Sequence, residues 1–231
     1  MRDSERRRVA ATVSKGQRYS QLTGSGAWSW ALVAAAAVTA VRCALLFVTP
    51  LELYPDEAQY WLWAQAPAWG YASKPPMIAW LIWLTTQLGE GEAWVRLSAP
   101  LLHGAAALAL FKAARRLYGP GEGLLAAVLW LVTPAVLVSS VFIATDAALI
   151  LFVSLALWAY ACLLTAQARG ERLRAAVGLG LALGLAALAK QAAVYFALGL
   201  VIDAIGRRSP RAAWRGGAWA LTVVVLSLIH I

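Results

Sequence analysis

The chain of 231 residues is 61% hydrophobic and 13% charged, and its mean hydropathy is +0.68. Soluble domains carry about 25% charged residues, so this composition excludes an ordinary soluble protein and indicates a polytopic membrane protein. The net charge of +9 does not indicate nucleic-acid binding, because the basic residues form clusters between apolar runs, as the positive-inside rule requires. Cys43 and Cys162 lie in apolar runs and predict no disulfide framework.

The N-terminal region predicts a tail followed by a first membrane span. Residues 1–26 are basic, polar and small, and we expect a disordered cytoplasmic tail. The apolar run Ala27 to Pro50, interrupted only by Arg42, is long enough to cross about 30 Å of hydrocarbon. This span is expected to run from inside to outside.

The next stretch, Leu51 to Pro76, combines carboxylates, a lysine, prolines and clustered aromatic residues. Residues Asp56 to Ala66 predict an amphipathic helix that begins after a proline and lies at the membrane interface. Residues Met77 to Leu88 are apolar but reach only about 18 Å as a helix, too little to cross. If they crossed, the cluster at Lys112 to Arg116 would lie outside, so we interpret them as a second interfacial helix.

The rest of the chain predicts helices of alternating direction. The expected segments are residues 94–111 (inward), 123–141 (outward), a second outer loop at 142–146, 147–166 (inward), and two short half-spans within 175–205 that turn near Lys190. The half-spans keep the basic clusters on both sides of them inside. A last span begins near Gly216 and stops without a polar flank, so residues 27–231 are expected to form an all-α polytopic transmembrane bundle that is truncated at its C-terminus.

Ionisable residues at a membrane boundary are costly and often functional. Asp56, Glu57, Lys74 and Asp146 all lie on the outer side in this topology, and Lys190 joins them if the chain turns there. A carboxylate can take a proton from an acceptor hydroxyl or amine, and a lysine can hold a phosphate as a compact point charge. These residue types from separate loops suit a group-transfer reaction.

Several motifs occur in a fixed order along the chain. They are Pro55-Asp56-Glu57-Ala58, Tyr60-Trp61, Gly70-Tyr71, Lys74-Pro75-Pro76, Thr145-Asp146-Ala147 and the run Leu185 to Lys190. Together they resemble the outer loops of the polyprenyl-phosphate-sugar-dependent glycosyltransferases of the GT-C fold, over roughly residues 27–225. That family groups bacterial relatives of the protein O-mannosyltransferases with the aminoarabinose transferase of lipid A.

The resemblance implies a function. A sugar would move with inversion from a polyprenyl-phosphate carrier to a lipid, glycan or protein acceptor, on the periplasmic side of the plasma (inner) membrane. Asp56 would be the catalytic base, Asp146 would orient base or acceptor, and Lys74 would bind the lipid-linked phosphate. The further candidates are Glu57 for catalysis and Tyr60, Tyr71 and Lys190 for substrate binding. Many relatives have His or Glu near position 73 or 74, whereas this chain has Ser73 before Lys74, so a divalent metal stays an open possibility without a ligand set.

Structural roles compete with each of these assignments. Asp56 and Glu57 could cap an interfacial helix, Lys74 could anchor to headgroups, Asp146 could be a helix N-cap, and Lys190 could mark a loop. His103, within a span, is expected to be a packed helix residue. Two other functions stay open at this point, namely a secondary transporter, whose ionisable residues would lie near the bilayer midplane, and a non-catalytic lipid-binding membrane subunit.

Overall fold

A computed structural model describes residues 26–206, except for the side chains of residues 204 and 205. The predicted tail before Gly26, the basic cluster at 207–215 and the span expected from Gly216 lie outside the described residues. Within residues 26–206 the chain forms ten helices. They are α1 Gly26–Val48, α2 Pro55–Ala64, α3 Met77–Thr86, α4 Glu92–Arg96, α5 Ser98–Leu117, α6 Pro120–Val132, α7 Pro134–Ser139, α8 Thr145–Thr165, α9 Arg169–Ala189 and α10 Ala193–Gly206.

Four helical segments of the described chain are long and apolar enough to cross a membrane. They are α1, α8, α9 and the nearly continuous pair α4–α5, Glu92–Leu117. A spanning helix needs about 20 apolar residues, and each of these segments has at least that length. The predicted all-α polytopic class is therefore confirmed.

Helix α5 lies at the centre of the bundle and packs against α6 and α8, while α8 packs against α9. Small residues allow these close approaches. A Cβ atom on Gly104 of α5 would overlap the side chain of Thr39 in α1, and one on Gly123 of α6 would lie 2.9 Å from the Phe111 carbonyl oxygen. Small residues at helix interfaces let backbones approach without a hydrophobic driving force in lipid.

The outward span predicted at 123–141 is interrupted, which is a correction to the single-helix prediction. Helix α6 ends at Val132 and α7 begins at Pro134, because proline has no backbone N–H and cannot continue the hydrogen-bond ladder. Arg42 reaches this break from α1. Its Nη2 donates to the Leu131 carbonyl at 2.6 Å and its Nη1 donates to Ser140 Oγ at 3.1 Å. The guanidinium thus pairs with polar groups that the lipid interior could not satisfy.

The chain turns at Lys190 to Ala192, as predicted, and α10 returns alongside α8. The Tyr160 hydroxyl, near the far end of α8, donates to the Asp203 carboxylate of α10. The prediction of two short half-spans is wrong for α9, which is a full 21-residue helix. It begins at Arg169 because the basic segment 169–174 contains good helix formers such as Arg, Leu and Glu and forms the first turns of the helix.

Helices α2 and α3, ten residues each, are too short to span. They leave large apolar side chains exposed, including Trp61, Leu62, Trp83 and Leu84. This surface suits contact with lipid, and their placement at the membrane interface stays a prediction.

Candidate active site at one end of the bundle

The candidate residues gather at one end of the bundle, which we call the site end. It comprises α2, α3, residues 140–144 before α8, and the turn between α9 and α10. The Glu57 carboxylate joins two of these parts. Its Oε1 accepts a hydrogen bond from the Ile143 backbone N–H at 2.8 Å, and its Oε2 accepts one from the Tyr54 backbone N–H at 3.0 Å. One side chain therefore connects the start of α2 to the segment that leads into α8.

Arg96 at the end of α4 completes this connection. Its Nη2 lies 2.7 Å from Glu57 Oε2, and both side chains are only 2% exposed. The same guanidinium donates to the backbone carbonyls of Leu51 at 2.8 Å and Glu52 at 2.7 Å, and it lies 5.5 Å from the ring centroid of Phe142. Arg96 is not among the site residues predicted from the sequence. The available signal was a cation at the boundary of a span, far from the basic cluster at the other end of α5, which is expected to pair or to be functional.

These contacts argue against the predicted catalytic role of Glu57. The carboxylate is buried and is surrounded by donors from Arg96, Ile143 and Tyr54, so a substrate has no access to it. The capping alternative fits better, since Glu57 accepts from the Tyr54 N–H at the start of α2. Removing one partner of such a buried pair leaves an uncompensated charge, and Glu57 is therefore a structural residue of the site.

Asp146 meets Lys190, so two of the predicted site residues lie together. The Lys190 Nζ donates to Asp146 Oδ1 at 2.7 Å and to Oδ2 at 3.0 Å. The side chains are 37% and 47% exposed, respectively, so solvent weakens this pair. The N-cap alternative for Asp146 is wrong, because Ala144 holds that position. Asp146 lies in the first turn of α8, where a negative charge is favoured by the helix dipole.

Tyr60 provides the link between Asp56 and Asp146. Its side chain is 4% exposed, whereas Asp56 is exposed. Burial, and then the negative charges of Asp56 and Asp146, raise the pKa of the Tyr60 phenol above its ordinary value of 10.0. Both carboxylates are therefore near enough to influence one phenol. The phenol stays protonated at neutral pH and can serve as a hydrogen-bond donor.

A cavity of about 370 Å³ opens beside Lys74. It is lined by residues 70–76 and by Gln191, from the turn between α9 and α10. These residues offer an ammonium, two hydroxyls and an amide, and none of them is a carboxylate. Such a lining suits an anionic group, for which lysine is a compact point charge. The cavity brings the predicted phosphate-binding Lys74 next to a segment far away in the sequence.

Tyr71 shapes the wall of this cavity. Its hydroxyl donates to the Trp63 carbonyl at 3.1 Å and accepts from the Ala68 N–H at 3.0 Å, and its ring stacks on Trp63 with centroids 4.9 Å apart. The Tyr71 N–H donates to the Lys74 carbonyl at 3.2 Å. These contacts fold the loop back on α2. The Tyr71 hydroxyl already makes hydrogen bonds within the loop. The predicted role in substrate binding stays a prediction.

The described residues do not present a metal site. Within residues 26–206, no three His, Cys, Asp or Glu side chains lie close enough to hold an ion. The cavity lining, with an ammonium and no carboxylate or imidazole, does not fit a divalent cation. His103 is fully buried, and its Nε2 lies 2.9 Å from Ser139 Oγ, which agrees with its interpretation as a packed helix residue.

Residues 73–231 match the family model described as dolichyl-phosphate-mannose-protein mannosyltransferase. The chain belongs to this family. The matched part contains Lys74, Asp146 and Lys190, whereas Asp56 and Tyr60 precede it. The family membership confirms the predicted resemblance to glycosyltransferases of the GT-C type.

A curated relative points in the same direction. The chain is 41% identical over 188 residues to the lipid A galacturonosyltransferase RgtD of Rhizobium johnstonii. The alignment covers 80% of this chain and 39% of the relative, so the chain spans well under half of that protein's length. No solved structure matches the chain.

Proposed function

We propose that the protein is a membrane glycosyltransferase that moves a sugar from a polyprenyl-phosphate carrier to an acceptor on the extracytoplasmic face of the plasma (inner) membrane. One observation supports this most directly. Lys74 and Gln191 line the same cavity, and Lys190, beside Gln191, pairs with Asp146. Three motifs from distant parts of the sequence therefore share one end of the bundle. Family membership and the position of these ionisable groups at helix ends favour a transferase over a transporter.

In the proposed reaction Asp56 is the general base. Its exposed carboxylate takes the proton of the acceptor hydroxyl or amine, and the acceptor atom attacks the anomeric carbon from the side opposite the phosphate. The bond between that carbon and the phosphate oxygen breaks, and its electron pair leaves with the polyprenyl phosphate. The products are an inverted glycoside and the lipid phosphate. General base catalysis contributes typically about 10² to 10⁴-fold.

The remaining side chains are proposed to bind and position. Lys74 meets the phosphate charge in the cavity, and this charge grows as the sugar leaves, so the contact is strongest in the transition state. Asp146, whose charge acts on the buried Tyr60 phenol as that of the proposed base does, orients the acceptor. The Tyr60 phenol stays protonated and donates a hydrogen bond within the site. Glu57 has no part in the chemical step, because Arg96 and two backbone N–H groups enclose it.

The named activity of the relative gives the first substrates to test. Its name states transfer of galacturonic acid to lipid A, so we propose a uronic acid donor and a lipid A acceptor for this protein. A glycan or protein acceptor is the alternative that the family description suggests. The loop helices α2 and α3, with their exposed tryptophans, would lie at the membrane surface beside a lipid acceptor.

The test is a transfer assay with the protein in nanodiscs and synthetic polyprenyl-phosphate donors. Donors that carry galacturonic acid, aminoarabinose or mannose are offered separately with lipid A or an acceptor peptide. We expect galacturonic acid to appear on lipid A with inverted anomeric configuration. Transfer of mannose to the peptide would correct the substrates but keep the reaction. Absence of transfer from every donor, by protein that binds polyprenyl phosphate, would overturn the proposed activity.

A further inference from the structure

The ion pair at the site end is next in the chain to the cavity beside Lys74 without being part of its lining. Lys190 ends α9 and donates to Asp146, while its neighbour Gln191 faces the cavity that contains Lys74. Lys74 lines the cavity, and Lys190 is the chain neighbour of a lining residue but is held by a carboxylate. An anion in the cavity would lie against Lys74 and one residue along the chain from Lys190.

We propose that the Asp146–Lys190 ion pair is opened by the donor. The phosphate in the cavity competes with Asp146 for the Lys190 ammonium, and the freed Asp146 carboxylate then becomes available to the acceptor. This inference rests on the proposed function, since it requires an anionic lipid donor. It adds that Asp146 opposes donor binding while Lys190 promotes it.

The geometry keeps the free-energy cost of opening the ion pair small. Both side chains are more than one third exposed, and exposed ion pairs are weak. The ammonium of Lys190 sits on a flexible four-carbon stem, so it can turn away from the carboxylate without movement of the backbone. The phosphodiester of the donor carries one negative charge over two free oxygens, as a carboxylate does, and its charge grows as the sugar leaves, so it can replace Asp146 as the partner of the ammonium.

Asp146 also tolerates the loss of its partner. It lies in the first turn of α8, where the helix dipole favours a negative charge. The released carboxylate therefore stays close to Tyr60, whose phenol already experiences its charge. Donor binding would thus release the Asp146 carboxylate for the acceptor. The protein would therefore bind its donor before its acceptor.

The experiment measures binding of synthetic polyprenyl phosphate, without a sugar, to the protein in zwitterionic nanodiscs. Asp146→Asn removes the competing charge, so we expect binding to tighten about two- to fivefold, the range that an exposed ion pair allows. Lys190→Met should weaken binding. In the Lys190→Met background, Asp146→Asn should give no further tightening, because there is no longer an ammonium for which the phosphate and the carboxylate compete.

Two controls separate competition from a general effect of charge. Glu90→Gln removes an exposed negative charge from the loop between α3 and α4 without touching the pair, and we expect unchanged affinity. Asp146→Glu keeps the competing carboxylate and should bind like the wild type. Each variant is first shown to have wild-type helix content and a monodisperse elution profile.

The inference is overturned if Asp146→Asn binds no tighter than Glu90→Gln, or if its tightening persists without Lys190. It also fails if the wild type does not bind polyprenyl phosphate. The proposed function fails separately, when the wild type binds the lipid phosphate but transfers no sugar from any donor. An Asp146→Asn variant that binds the lipid more tightly while transferring more slowly supports both.

Discussion

The buried carboxylate of Glu57 lies 2.7 Å from the Arg96 guanidinium and also accepts the backbone N–H of Ile143. This contact fixes the start of α2 against the segment that leads into α8. Asp56 precedes Glu57 in the chain, and Asp146 follows shortly after Ile143. Glu57 cannot itself reach a substrate, but it thus determines the relative positions of the Asp56 and Asp146 carboxylates.

Breaking this pair is expected to destabilise the protein strongly. Glu57→Gln leaves the Arg96 charge buried without its counter-charge, and such changes cost about 3–5 kcal/mol. We expect a large drop in the temperature of thermal unfolding in detergent. Glu52→Gln, on the exposed side chain of a neighbouring residue, is the matched control. Equal unfolding temperatures for the two variants would show that the pair does not stabilise the fold.

The overall fold was predictable because hydropathy and charge reflect the membrane directly. Long apolar runs gave the spans, and the basic clusters correctly required a turn near Lys190. The broken helix at Pro134 was not predicted, although proline gave a local signal, because membrane helices often contain proline and the outcome depends on a partner. That partner is Arg42 of α1, and its hydrogen bond to the Leu131 carbonyl depends on tertiary packing.

The site was only partly predictable for a similar reason. Asp56 and Glu57 are adjacent acids at the start of one helix, and successive helical residues point about 100° apart. One of them must face the protein and the other must face outward. Sequence alone did not decide between them, because the buried position is set by Arg96 from another helix. The cavity between Lys74 and Gln191 likewise depends on packing across the bundle.

The first catalytic prediction concerns the proposed base. Asp56→Asn keeps the size of the side chain and its hydrogen bonding but cannot take a proton. We expect kcat for sugar transfer to fall about 10² to 10⁴-fold, while binding of polyprenyl phosphate stays near the wild-type value. The transfer assay and a separate binding assay measure the two effects. A wild-type rate for Asp56→Asn would leave Asp56 with a structural role at the start of α2.

The second catalytic prediction concerns the donor phosphate. Lys74→Met keeps the aliphatic stem but deletes the charge, and hydrogen bonds to charged groups are worth about 1.5–3 kcal/mol. We expect donor affinity to fall roughly tenfold to a hundredfold, with a loss of turnover. Lys74→Arg, which restores the charge with a different shape, should recover part of the affinity. If Lys74→Met binds donor as tightly as the wild type, Lys74 is only an interfacial anchor.

Topology can be tested at two exposed positions on opposite ends of α4–α5. Glu90 precedes this span at the site end, and Tyr118, which is 75% exposed, follows it. In a background without Cys43 and Cys162, we expect an impermeant thiol reagent on intact cells to label Glu90→Cys and not Tyr118→Cys. Labelling of position 118 from outside would place the candidate site on the cytoplasmic face and contradict the proposed location.

The shared position of the two carboxylates can be tested through Tyr60. Burial and the charges of Asp56 and Asp146 raise the pKa of its phenol above 10.0, so removal of either charge should lower that pKa and let the phenolate form at a lower pH. The Tyr60 titration is isolated by ultraviolet difference spectra against the matching Tyr60→Phe variant, since the chain has seven tyrosines. We expect Asp56→Asn to shift the titration more than Asp146→Asn, because the Asp56 charge contributes more. Glu90→Gln should leave the titration unchanged. A shift with Asp56→Asn and none with Asp146→Asn would mean that Asp146 lies too far from Tyr60 to act on the same acceptor as the proposed base.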